Sequence, residues 1–163
     1  MRYKNDMDEC GAFYGAHKNK LFSYLMRLTG DYHLSCDITQ ESFIRYCQRY
    51  NEEKNVSLLY RIAKNAFLDI LRKRKKDTLL DESQKDHSNN QEHTLIVREE
   101  YRRVIKAMQK LNEDERDLLS LVLNGDLSYH EIAELTGTSE GNVKVKVHRA
   151  RVRLKTILQG EGV

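Results

Sequence analysis

The residues with the clearest chemical reach are cations at helical spacing. Residues 139–155, "SEGNVKVKVHRARVRLK", hold six Lys or Arg and one acid. With Val143 at the centre of a buried helical face, Val147, Ala150 and Leu154 fall within about 40° of it at about 100° per residue. Lys144, Val145, His148 and Arg149 then lie to the side or opposite, where a helix lying in a major groove reaches base edges. Lys and Arg favour guanine there, and a valine methyl can meet a thymine methyl. Lys146, Arg151, Arg153 and Lys155 point to the flanks, where phosphates lie. This is the chemistry of reading a polyanion.

The rest of the composition agrees. The 163 residues carry a net charge of only +3, but the charge is zoned. Residues 1–76 hold 15 basic and 9 acidic side chains, and residues 77–94 hold 1 basic and 5 acidic. Two cationic zones flanking an acidic stretch favour a polyanion touched at two places. No glycine-rich phosphate loop, nucleophile–base pair or metal set is present. No catalytic residue, cofactor or metal is assigned, and the chain is not read as an enzyme. Cys10, Cys36 and Cys47 lack CxxC or zinc spacing. Cys36 and Cys47 lie three helical turns apart and are expected to be structural thiols facing one core. His17, His33, His87, His93 and His130 are scattered and read as surface or structural. The N-terminus has no apolar signal region, and no run approaches the roughly 18 apolar residues of a membrane span. A cytoplasmic protein without membrane insertion is expected.

Helices must position these groups, and their periodicity dominates the chain. Phe13, Leu21, Leu25 and Leu28 mark a first helix, stopped by Gly30. Ser35 is the expected cap of a second, from about 36 to 49. A third runs from about 57 to 75 and ends in the cationic "RKRKK". The polar segment "DTLLDESQKDHSNNQEH" reads as a linker. Helices resume near Thr94. Asn112 is the expected cap of "NEDERDLLSLVLNG", and Ser128 with Glu131 forms a capping box before "SYHEIAEL". Then "TGTS" turns the chain into the cationic helix. Ala133, Gly137 and Val143 have the spacing of a helix-turn-helix: a small residue at the crossing, a left-handed turn, and a packing residue. The expected fold is all-α: two small helical domains, residues 1–76 and 95–163, joined by a flexible acidic linker at 77–94.

Two longer stretches sharpen the function. "DITQESF" (37–43) followed by "SLLYRIAKNAFLDILRKRKK" (57–76) resembles region 2 of bacterial sigma factors, most closely the compact extracytoplasmic-function group. "LNEDERDLLSLV" and "LSYHEIAELTGTSEGNVKVKVHRARVRL" resemble their region 4. The resemblance implies a sigma factor that binds core RNA polymerase, through the clamp helices of the largest subunit and the flap. It further implies direction of the enzyme to promoter DNA, melting of the −10 element and transcription initiation, with an anti-sigma factor as a further partner. Asp37, Gln40, Glu41 and Ile44 share one helical face at i, i+3, i+4 and i+7, a stripe suited to a basic helical partner. Lys54, Asn55, Arg61, Lys64, Asn65, Arg72, Lys73 and Arg74 are the −10 candidates. Asn65 offers an amide to a base edge, and residues 51–56 match the loop that pockets an unstacked base. Lys144, Val145, Lys146, His148, Arg149 and Arg153 are the −35 candidates. The chain departs from the family pattern at Leu58, where Trp is usual, at Asn112 for Pro, and at Val145 and Lys146 for Ser and Arg. The other reading is a helix-turn-helix regulator that does not bind core polymerase.

Overall fold

The computed structural model describes residues 2–49, 55–80 and 99–160, with side chains from residue 9 onward except that of Leu80. Among these there are seven helices and no strand: α1 Arg2–Thr29, α2 Tyr32–Arg49, α3 Val56–Leu80, α4 Glu99–Gln109, α5 Glu113–Asn124, α6 Tyr129–Thr136 and α7 Glu140–Gly160. The helix starts follow from local chemistry. Asp31, not Ser35, begins α2: its carboxylate accepts the Leu34 N–H at 3.0 Å, while Ser35 is buried inside the helix and donates its hydroxyl to the Asp31 carbonyl. Asp31 comes first after the left-handed Gly30 (φ 67°), so the helix starts at the earlier of two competent caps. Asn55 caps α3 through Leu58 N–H, Asn112 caps α5 through Glu115 N–H, and Ser139 caps α7 through Asn142 N–H. The Ser128–Glu131 capping box is present in both directions.

α3 runs to Leu80, four residues into the segment expected to be linker. The rest of that segment, 81–94, lies outside the described residues, as do the start of the fourth helix near Thr94 and Lys54.

α1, α2 and α3 pack in sequence around Leu21, Leu25, Ile38, Leu59 and Ala63, all fully buried. α4 to α7 surround Met108, Leu119, Leu121, Ile132 and Val143. The two sets meet: α5 and α4 lie against α1, and α6 touches α3, so that buried side chains of both halves form one continuous cluster. The cysteines depart from expectation. Cys47 does not share a core face with Cys36; it is joined in a disulfide to Cys10, tying α1 to the end of α2. Cys36 is a free, half-buried thiol. The residue that pairs with Cys47 sits 37 positions away, which helical periodicity within one element does not register.

Candidate nucleic-acid interface

The helix-turn-helix forms from α6 and α7. Ala133 is buried at the crossing, and Gly137 takes the left-handed conformation (φ 68°) that ends α6. A residue with a Cβ is strained at that φ, so glycine makes the tight entry to α7 possible. Val143, Val147 and Ala150 are buried beneath α7, with Leu154 partly so. On the other faces Lys144, Val145, Lys146, His148, Arg149 and Arg153 are all exposed. Lys144 stands 5.8 Å from the Tyr129 ring centroid, a cation–π contact that steers its stem toward the start of α6. His130 reaches Glu140 at 3.1 Å and Glu134 at 3.2 Å, joining α6 to the first turn of α7. Lys146 and Arg149 line a groove with Asn112, Glu113, Asp114 and Glu115, and Arg153 pairs with Glu115 at 3.0 Å. The acids at the start of α5 suit the positive end of that helix, and one of them, Glu115, also pairs with Arg153 of α7.

In the first half, Asp37, Gln40, Glu41 and Ile44 all lie exposed on one side of α2, opposite the buried Ile38, Ser42 and Tyr46. Glu41 pairs within the helix with Arg45. Ile44 is 56% exposed. On α3, Arg61, Asn65, Arg72, Lys73 and Arg74 are exposed. Asn55 has a structural task as well: besides capping α3, its N–H donates to the Tyr46 hydroxyl at 2.9 Å, and Tyr46 stacks on Phe13 at 4.6 Å between centroids. Lys64 differs from its neighbours. It is half-buried and pairs with Asp117 of α5 at 2.5 Å.

The contact across the two halves was not anticipated from sequence. Asp117 also accepts from the Tyr24 hydroxyl at 2.7 Å. Asp126 receives the Tyr60 hydroxyl at 2.9 Å and lies 3.3 Å from both His17 and Lys20. Arg27 donates to the Ser120 carbonyl at 3.0 Å and to Asn124 at 2.8 Å, and Gln109 donates to the Arg27 carbonyl at 2.9 Å. Gln109 closes over Gly30 so tightly that an added Cβ would meet it at 3.0 Å. Burial, then the charge of Asp117, raises the Tyr24 phenol well above its usual range; burial, then Asp126, does the same at Tyr60. Burial lowers the Arg27 guanidinium. A signal was present: Asp117 shares a face with Ser120, Leu121 and Asn124 at i, i+3, i+4 and i+7, so an acid lay in phase with an apolar residue.

An apolar groove of about 400 Å³ opens between α4, α5 and α7, with Leu119, Leu123, Leu154 and Leu158 on its walls. No helix among the described residues is long and apolar enough to cross a membrane, and none of their His, Cys, Asp and Glu side chains gather as a metal site.

Residues 13–77 match the family "Sigma-70 region 2" and residues 101–154 the family "Sigma-70, region 4". The ECF RNA polymerase sigma factor SigM of Bacillus subtilis (strain 168) is 32% identical over 149 residues, covering 88% of this chain and 91% of that protein. SigW of the same organism, also an ECF RNA polymerase sigma factor, is 28% identical over 172 residues, covering 96% and 92%. In structure the chain is similar to the sigma factor RpoE of Bartonella quintana, solved with the anti-sigma factor NepR (TM-score 0.73, 21% identity, covering 90% and 94%). It is also similar to CnrH, solved with the cytosolic domain of CnrY (TM-score 0.67, 21% identity, covering 93% and 88%).

Proposed function

We propose, for a chain that belongs to the extracytoplasmic-function group of RNA polymerase sigma factors, that its two halves divide promoter recognition between named faces. As a sigma factor it binds core RNA polymerase and directs it to promoters for initiation. The observation that carries the assignment of faces is that the α2 stripe and the cationic face of α7 both stay exposed while the two halves are packed together. Neither is consumed by the fold.

On this reading Asp37, Gln40, Glu41 and Ile44 meet the basic clamp helices of the polymerase. An exposed isoleucine among acids supplies apolar area inside a charge-complementary contact. Arg61, Lys64, Asn65, Arg72, Lys73 and Arg74 track the separated −10 strand, with Asn65 reading a base edge and the cations holding phosphates. Asn55, the cap of α3, and Lys54 are assigned to the same strand. Lys144, Val145, His148 and Arg149 read the −35 element in the major groove, while Lys146 and Arg153 hold its phosphates. The apolar groove of Leu119, Leu123, Leu154 and Leu158 is the seat for the polymerase flap. Residues 1–76 and 95–163 are the two functional units, with the connection at 77–94 setting their reach. The chain performs no catalysis of its own and works in the cytoplasm, where polymerase is. By likeness to the sigma factor RpoE solved with the anti-sigma factor NepR, an anti-sigma factor is a further partner.

The test is a pull-down with core RNA polymerase followed by run-off transcription on genomic fragments. Co-purification with core and start sites that depend on this chain are expected. DNA binding without core binding would leave a helix-turn-helix regulator instead.

A further inference from the structure

Cys10 and Cys47 are joined across two helices, with Cα atoms 6.0 Å apart, a span that a disulfide bridges. Both residues are half-buried, so a small thiol can reach the bond. Disulfides in a protein that works among cytosolic thiols are as a rule transient. We propose that this pair is a reversible redox-modification site: oxidised, it holds Asn55 in place at the start of α3 for the −10 strand, and reduced, it lets Asn55 go. The proposal rests on the cytoplasmic reading and on the assignment of the α3 start to that strand.

Few other contacts hold the first part of α1. From residue 9 to residue 20 no side chain is fully buried; Cys10, Phe13 and His17 are half-buried and the rest are exposed. Gly11 and Gly15 lie in that stretch, and a Cβ at either would meet nothing within 4 Å. Neither glycine makes room for a neighbouring element, so both only weaken the helix. Phe13, one turn after Cys10, stacks on Tyr46, the neighbour of Cys47, at 4.6 Å between centroids. The Tyr46 hydroxyl in turn accepts the Asn55 N–H at 2.9 Å, and the Asn55 side chain accepts the Leu58 N–H at 3.2 Å. Bond, ring stack and cap form one continuous path from the sulfurs to the start of α3. Opening the bond frees this end of α1, and with it the hold of Phe13 on Tyr46. Cys36, three turns earlier on α2, is about 16 Å from Cys47 at about 1.5 Å per residue, too far to exchange with the pair while the helix is formed.

Reduction consumes two equivalents of a small-molecule thiol. A thiolate attacks one sulfur, the other protein sulfur leaves as thiolate and takes a proton, and a second thiolate releases the first protein sulfur from the mixed disulfide. The products are two protein thiols and one small-molecule disulfide, and two electrons and two protons have passed to the protein. Closure is the reverse, with the small-molecule disulfide as oxidant.

The experiment uses the full chain in glutathione buffers of stepped reduced-to-oxidised ratio. Alkylation and mass spectrometry read the bond, and hydrogen exchange by NMR reads the Asn55 amide. Permanganate reactivity of −10 thymines, with core polymerase on a promoter found by run-off transcription, reads strand opening. The bond is expected to open within the series with helix content by far-ultraviolet circular dichroism largely retained. Exchange at Asn55 should then rise about tenfold, and thymine reactivity should fall in step. Cys10→Ser should match the reduced chain at every ratio. Tyr46→Phe should still form the bond but show fast Asn55 exchange in both states. A bond that stays closed, or never forms, across the series overturns the site. Asn55 exchange that ignores the bond, or a Tyr46→Phe chain that still follows it, overturns the path. Thymine reactivity that is equal in both states, or higher in the reduced one, overturns the regulation. No initiation in either state would sink the sigma assignment instead, while the exchange arm still decides whether the bond controls Asn55.

Discussion

Arg149 and Arg153 lie four residues apart on α7 but are held differently. Arg149 lines the open groove facing the start of α5, whereas Arg153 is already paired with Glu115. Arg149→Ala is therefore expected to cost about 1–3 kcal/mol of −35 binding and to relax preference at one base position. Arg153→Ala should weaken binding to all sequences about equally and flatten the salt dependence by roughly one counterion. Duplex-library binding at several salt concentrations separates the two; identical losses without a change in preference would leave a nonspecific basic helix. On α2, Glu41→Lys is expected to reduce retention on core polymerase more than tenfold, about 1.4 kcal/mol. Helicity should be kept, because Glu41 is exposed and the change removes only its surface pair with Arg45. Retention equal to wild type would remove the α2 stripe from the polymerase contact.

At the scale of elements, α7 has a buried and an exposed face separated by a half-turn. Val143 is fully buried against α6, and Val145, two residues on, is 49% exposed. Val143→Asp places an unpaired carboxylate in that core, so the second half should lose its cooperative melt and its DNA binding together. Val145→Asp should leave the melt within about 0.5 kcal/mol of wild type, as surface substitutions do, while weakening DNA binding by charge repulsion. Thermal melts followed by circular dichroism check the contrast, and equal destabilisation would mean that α7 packs in another rotation. The caps act on the same scale. Ser128 and Glu131 satisfy each other's backbone donors at the start of α6, so the eight-residue helix owes its beginning to that box rather than to its own length.

On the scale of the whole molecule, two features couple distant segments. The Cys10–Cys47 disulfide closes a separation of 37 residues. In the loop-entropy account such a cross-link stabilises by about 3–4 kcal/mol. Reductant should lower the denaturant midpoint of wild type and leave that of Cys10→Ser unmoved; equal midpoints with and without reductant would show that the bond contributes nothing. The interface between halves carries the other coupling. The phenols of Tyr24 and Tyr60 are both raised, first by burial and then by Asp117 and Asp126 respectively. A raised phenol keeps its proton in the packed state where the unpacked chain would lose it. Its contribution to stability is therefore complete below about pH 10, the unperturbed value, and falls as pH rises above it. Ultraviolet tyrosinate titration should show a late phase that coincides with expansion and shrinks in Tyr24→Phe and Tyr60→Phe. A single phase at the ordinary phenol range would place both rings in water.

The local elements and the candidate faces were legible because their causes are local. Helical period, the Ser128–Glu131 box, the left-handed Gly137 and the Ala133–Val143 spacing are settled within a few residues of chain, and the same period sorts the buried valines of α7 from its cations. The start of α2 at Asp31 rather than Ser35 was a choice between two adequate caps, decided by which comes first after the Gly30 turn. What only the tertiary structure decided depends on residues brought together from far apart. Cys10 meets Cys47, Tyr24 meets Asp117 across 93 positions, and Lys64 meets Asp117 across 53. Periodicity states which side of a helix faces inward. It does not state which other helix waits there, because that is set by the complementarity of two whole surfaces. The sequence by itself therefore determined a helical protein with an acidic stripe on α2 and a cationic face on α7, and the packing of its two halves determined that Lys64 pairs with Asp117.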